Sequence, residues 1–258
     1  MNTVEDWALH YVTTTQLSEK LAPPPVPFTW STSAVPLRVS APGRPSELIP
    51  TRRSPRTPRP GALVTPVRRA QLVHTFWHHE LQAAELMAWA LLAFAREDRD
   101  FRLGLLRICL DEIRHMGWYA EHLQRLGHGV GDFPVRDWFW ERVPRCADAL
   151  GFVAVMGMGF EAANLEHAPR FAAQFRAAGD EAGALLQERI AEEEIFHVSF
   201  ATEWFTRWTG GCDFAVWSRS LPPPLSPLTL RGPNCQRSAR LAAGMPAAFV
   251  DALEAWAP

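Results

Sequence analysis

Lysine is all but missing from this sequence: Lys20 stands alone among 26 basic residues in a chain of 258. A drift towards arginine this complete reads as a GC-rich coding bias, so Lys20 carries little functional weight. Cysteine is scarce too. Cys109, Cys146, Cys212 and Cys235 are far apart and form no Cys-x-x-Cys pair, which excludes a zinc ribbon, a thioredoxin-type site and an attached rubredoxin-like iron centre. Four reduced, mostly buried thiols are expected. The formal charge is −2 and the pI about 6.5, so no overall field draws the molecule to nucleic acid or an anionic membrane. The first thirty residues hold no apolar run suited to a signal peptide, and no uncharged apolar stretch is long enough to span a bilayer. A cytoplasmic location without membrane contact is the expectation. What is present is a globular balance, 47% hydrophobic and 21% charged, enough for one main domain with a sizeable core.

Residues 1–62 are unlike the rest. A short helix is expected around Val4–Lys20, followed by a tract dense in proline, from Pro23-Pro24-Pro25 to the prolines between Pro42 and Pro60, where fixed φ and missing donors exclude regular helix. Eight arginines from Arg38 to Arg69 face one acid, Glu47. This basic arm reads either as an extended strap with solvated arginines or as a grip on a phosphate-bearing partner. From Thr65 the pattern becomes helical. Thr65-Pro66 starts helix 1, which runs to about Ala95. Helix 2 runs from Asp98–Asp100 to Gly127 or Gly129, where glycine can take a left-handed cap. A connection with Pro134 and Trp138-Phe139-Trp140 leads to helix 3, roughly Pro144–Ala178. Helix 4 follows Gly179-Asp180 and closes at Gly210-Gly211. Pro222–Pro227 forbids further helix until a short piece near Pro246–Trp256. The expected organisation is therefore all-α, with an N-terminal Pro/Arg-rich extension (1–62), a four-helix bundle (63–212) and a short C-terminal extension (213–258).

Glu-x-x-His occurs on helix 2 as Glu112-Ile-Arg-His115 and on helix 4 as Glu194-Ile-Phe-His197. Residues three apart share a helical face, so each motif aims a carboxylate and an imidazole at one point. Helices 1 and 3 each offer a glutamate in an apolar stripe, Glu80 and Glu161. An ionised carboxylate there is costly without a partner, and a metal removes the cost. One Glu from each of two helices plus Glu-x-x-His from each of the other two is the set that binds paired iron or manganese in carboxylate bundles. The order Glu, Glu-x-x-His, Glu, Glu-x-x-His, with 32 positions from Glu80 to Glu112 and 33 from Glu161 to Glu194, suggests two similar hairpins related by a pseudo-twofold axis. Glu85 and Glu166 compete for the ligand role. Each lies five residues, about 140° of helix, beyond Glu80 or Glu161, so they are expected as outer or surface groups.

Asp111 to His115 resembles the Asp-Glu-x-Arg-His signature of bacterial di-iron oxygenases and ribonucleotide-reductase-like proteins. The resemblance implies that Asp111 accepts the N–H of His197 and that Arg114 holds Asp111. On helix 4 Glu193 and Phe196 replace the Asp and Arg. Across nearly the whole chain the pattern resembles the ferritin-like family catalogued as domain of unknown function 455. The residues carrying this likeness are Glu5-Asp6-Trp7-Ala8-Leu9, Lys20-Leu21-Ala22-Pro23, Pro42-Gly43-Arg44-Pro45, His79 to Leu86, Asp111 to His115 and Glu194 to Val198. That resemblance implies the ferritin-like fold and the metal site. Phe160 to Glu166 is similar to the third-helix segment of di-iron tRNA hydroxylases, which suggests a reaction.

Oxygen-rich ligation with one histidine per metal suits two iron ions, or manganese, or a mixed Mn/Fe pair. The expected function is an oxygenase or oxidase that activates O2 or peroxide to oxidise, by hydroxylation, a small organic substrate, with an external electron donor. Glu161 is the carboxylate expected to shift as O2 binds. Tyr119, one turn beyond His115, is placed either as an electron relay or in the core; Met158, Phe160, Trp77 and Trp118 line a cavity or are core. Ferroxidase activity, peroxide scavenging and a metal-free interaction protein are the competing functions. Nucleic acid is the less favoured partner, and a homodimer is allowed.

Overall fold

The computed structural model describes residues 1–52, 58–231 and 235–257, and it is predominantly helical. Arg53 and Arg56 of the basic arm lie outside the described residues. Among those described, no helix is long and apolar enough to cross a membrane. The chain forms two compact units, Met1–Pro144 and Arg145–Pro258.

The first unit is built on a hairpin of α3 (Pro66–Ala93) and α4 (Arg99–Arg125). Proline opens α3 where its missing donor costs nothing, and Gly127, at φ 80°, ends the α4 region with a left-handed residue. From Glu80 to Ala93 every residue of α3 is buried. A helix buried all round needs cover on more faces than one partner supplies, and the N-terminal extension provides it. The expected helix over Val4–Lys20 is two helices, α1 (Val4–Thr13) and α2 (Leu17–Leu21), because Thr14 turns extended at ψ 139°. Thr3 and Asp6 cap α1 reciprocally. The proline-rich strap then runs along α3: Leu37 N donates to Leu92 O at 3.0 Å, one of the carbonyls orphaned at the helix end, and Trp89 Nε1 donates to Val39 O at 3.1 Å. Gly43 donates to Val12 O at 2.8 Å, so close that a Cβ there would stand 2.1 Å from Thr13 O. A two-residue parallel pairing of β1 (Ile49–Pro50) with β2 (Pro134–Val135) ties the strap to the segment after α4.

The second unit holds the other long hairpin. Its first arm starts at Ala149, not near Pro144, because Val143–Arg145 is a 3-10 turn and Asp148 caps the helix by accepting from Gly151 N at 2.8 Å. This arm is α5 (Ala149–Val155), a π-helical turn (Met156–Glu161) and α6 (Ala162–Ala177). The second arm is α7 (Glu181–Thr209), capped by Asp180 and ended by Gly210 at φ 76°. Among its described residues the C-terminal extension has four short helices, α8 (Phe214–Arg219), α9 (Pro227–Leu230), α10 (Arg237–Ala242) and α11 (Ala247–Ala255). Three were not expected. Proline forbids helix interiors but not first turns, and Pro227 opens α9.

Candidate metal centre

In the first unit α3 contributes Glu80, and one face of α4 contributes Glu112 and His115, with side chains at most 5% exposed. His115 Nδ1 stands 3.4 Å from Glu112 Oε2 and 3.7 Å from Glu80 Oε2. Burial pushes the Glu80 carboxyl well above its usual range, and the neighbouring Glu112 pushes it further. Burial alone would lower the His115 imidazole, but Glu112 and Glu80 outweigh it and hold it well above its ordinary value. Both shifts favour the protonated forms, as expected where carboxylates are buried together without a cation. A divalent metal could take the cation's place by displacing protons, the ordinary coupling of metal affinity to pH.

In the second unit Glu161 closes the π turn, while α7 supplies Glu194 and His197. All three are buried. His197 Nδ1 lies 3.1 Å from Glu194 Oε2, and Asn164 Nδ2 donates to Glu194 Oε1 at 3.4 Å. Within each triad the possible ligand atoms lie within 4.8 Å of one another. Two carboxylates and one imidazole, out of water and this close, fit a hard or borderline cation such as ferrous iron or manganese.

The π turn was not visible in the sequence, though its glycines were. At Gly157 a Cβ would stand 2.2 Å from the Cβ of Ala201 on α7, so only glycine allows this approach. Such turns interrupt α-helices mostly at functional sites. Here the interruption ends on the residue expected to bind metal.

A scan against protein-family models matches residues 4–251 to the family described as "Protein of unknown function (DUF455)". The chain belongs to this family. No curated protein and no solved structure matches it. The DUF455 match spans both triads and nearly all of both extensions, and it is the extensions that account for the two competing glutamates. In this DUF455 protein Glu85 accepts from Lys20 Nζ at 2.8 Å, from Arg44 Nη1 at 2.5 Å and from Trp140 Nε1 at 2.9 Å. Glu166 accepts from Arg240 Nε at 2.7 Å and Nη2 at 2.9 Å, and from Gln236 N at 3.1 Å. Both glutamates are buried ion-pair partners of residues that sequence reasoning passed over. The clue was available: a glutamate in an apolar stripe requires a cation, and the single lysine is one.

Lys20 is fully buried and also donates to the carbonyls of Tyr11 at 2.6 Å and Val12 at 3.1 Å. Arg44 is not a solvated residue of the strap; its other edge grips Asp137, at 2.8 Å from Nη2 and 3.0 Å from Nε. Burial raises the Asp137 carboxyl, but hydrogen bonds from His78 and Arg44 prevail and hold it far below the usual carboxylate range. Arg114 Nη1 bonds Asp111 Oδ1 at 2.6 Å, the half of the expected relay that lies in this unit. Tyr119 is buried with its ring 5.8 Å from that of Phe76. Trp77, Met158 and Phe160 are buried, and Trp118 lies 5.3 Å, ring to ring, from His115.

Proposed function

We propose that each triad supplies the ligands of one metal ion, that the fold is a ferritin-like four-helix bundle, and that the protein is a di-iron carboxylate oxidoreductase that hydroxylates an organic substrate. The observation that carries this reading is the repetition of one chemical set, Glu80 with Glu112 and His115, then Glu161 with Glu194 and His197, buried and clustered in each unit. When bound, two ferrous ions would supply to O2 the two electrons that hydroxylation requires, to be restored by an external donor, whereas peroxide already carries those electrons and would need none; manganese or a mixed pair is the variant occupancy. The protein's own contributions are specific. The four carboxylates set the charge that holds the metals, and the two imidazoles complete one ligand set each. Asp111, fixed by Arg114 at 2.6 Å, is the carboxylate that the Asp-Glu-x-Arg-His likeness assigns to orienting a ligand imidazole. Glu161, at the end of an irregular turn, is the carboxylate with freedom to change its ligation. Buried aromatic and thioether side chains keep water from the centre.

A nucleic-acid substrate draws less support. It needs a solvated arginine arm, yet Arg44 is committed to Glu85 and Asp137, Arg38 packs over Trp89 and Phe94, and Arg69 donates to the Leu63 carbonyl. The test is metal analysis of the purified protein with optical spectra of the anaerobically reduced form before and after O2. Two irons per chain and an O2-dependent absorption change are expected. Glu112→Ala and His197→Ala should each lose metal and the absorption change; full iron loading of both variants refutes the ligand set.

A further inference from the structure

The π turn is held from both sides by the C-terminal extension. Trp217 on α8 donates its indole N–H to Ala154 O at 2.9 Å, two residues before the turn begins. At the turn itself Leu230 of α9 packs against Gly159 so closely that a Cβ there would be 3.0 Å from Leu230 Cδ1. Just after it, Arg240 of α10 donates through Nη2 to Ala162 O at 3.3 Å and clasps Glu166 with Nε and Nη2. Trp217, Leu230 and Arg240 are each at most 1% exposed. A π turn contains one residue more than the α-helical turn it interrupts, and relaxing it to α would rotate one flank by about 100°. Contacts made independently before, within and after the turn oppose that rotation.

We propose that the C-terminal extension is a register clasp: Trp217 and Arg240 are positioning residues that keep the π turn in place and so aim Glu161 at its triad. This deepens the two-metal reading and rests on it for the metal but not for the backbone register. The sequence separation is what makes the clasp a device of its own, since Trp217 and Arg240 lie 56 and 79 positions beyond Glu161 and neither belongs to the metal-binding helices.

The test uses the full-length metal-free protein and two variants. Trp217→Phe keeps the ring and deletes one hydrogen bond; the pair Arg240→Met with Glu166→Leu removes the clasp without stranding a buried charge. Lys20→Met with Glu85→Leu is the control, an equivalent deletion in the unit that has no π turn among its described residues. Amide exchange over Met156–Ala162 is the metal-independent readout, and it should rise at least tenfold in Trp217→Phe. Titration with Co2+ follows the site: Trp217→Phe and the Arg240/Glu166 variant should bind at least tenfold more weakly with an altered visible spectrum, while the control keeps the wild-type spectrum. Circular dichroism identifies any variant that fails to fold; Trp217→Phe then decides alone. Unchanged exchange in the π turn overturns the clasp whether or not the wild type binds cobalt. A wild type that takes up no cobalt, with exchange raised as expected, overturns the two-metal reading and leaves the clasp standing as a register device.

Discussion

Glu85→Ala tests the account of the competing glutamates most directly, because it removes a carboxylate that the structure commits to an ion pair. Arg44 would keep Asp137 at 2.8 Å, but Lys20, fully buried, would retain two carbonyls and no counter-charge. Breaking a buried pair from one side costs roughly 3–5 kcal/mol. Deprotonation sets a ceiling on that figure, since neutralising an ordinary lysine at pH 7 costs about 5 kcal/mol. The two limits agree on about 4 kcal/mol. In urea, with an m-value of about 2–3 kcal/mol per M, the unfolding midpoint of the metal-free protein should fall by about 1.3–2 M. Burial draws the Lys20 amine below its ordinary value and Glu85 opposes that shift; without Glu85 the amine falls further, the unfolded chain binds the extra proton, stability rises more steeply with pH than in the wild type, and the deficit of Glu85→Ala should shrink between pH 7 and 10. Lys20→Met with Glu85→Leu should recover most of the loss. A shift in Glu85→Ala below about 1 kcal/mol, or loss of its metal, would refute the reasoning, because an ion-pair partner costs stability whereas a ligand costs metal.

Three further outcomes are expected. His74, buried and accepting from Gly131 N at 2.9 Å, has its pKa pulled down to about 4, chiefly by burial; the unfolded state therefore gains a proton first as pH falls, and stability present above pH 6.5 should decline by about 3 kcal/mol on approach to pH 4. Equilibrium unfolding across that range checks it, and His74→Gln should flatten the slope. Gly157→Ala forces a methyl to within 2.2 Å of Ala201 Cβ and should cost about 1–3 kcal/mol, read as a Tm lowered by several degrees. Ferrous iron or Mn2+ at a hundred times its Kd should raise stability by about 3 kcal/mol per site, an effect that disappears with a chelator and falls by at least one site's share in His115→Ala.

The long helices were legible because periodicity and caps agree: Pro66 opens α3, Asp180 caps α7, and Gly127 and Gly210 take the left-handed conformation that their positions in the sequence suggested. The buried Glu/His clusters were legible for the same reason, since two Glu-x-x-His motifs in phase with two stripe glutamates are a statement about helix faces. What composition could not reveal was burial. Lys20 looked like the residue of a coding bias and Arg44 like part of a solvated arm, yet both are counter-ions for one glutamate on α3. Backbone register was equally hidden. Nothing in Met156–Glu161 distinguishes a π turn from an α turn except two glycines, whose reason lies in Ala201 and Leu230, far along the chain. The start of α5 was misplaced because Pro144 resembles a first-turn proline, whereas the cap signal is Asp148 followed three residues later by Gly151.

A chain with one side-chain amine, sealed in its interior, carries its own reporter. Reagents that acylate amines will mark the terminus of the intact protein and spare Lys20, so a second label on the peptide containing it times the opening of the first unit, with no engineered probe. Mass spectrometry can follow that event in crude mixtures, and the rate at which the mark appears measures how firmly the strap stays closed.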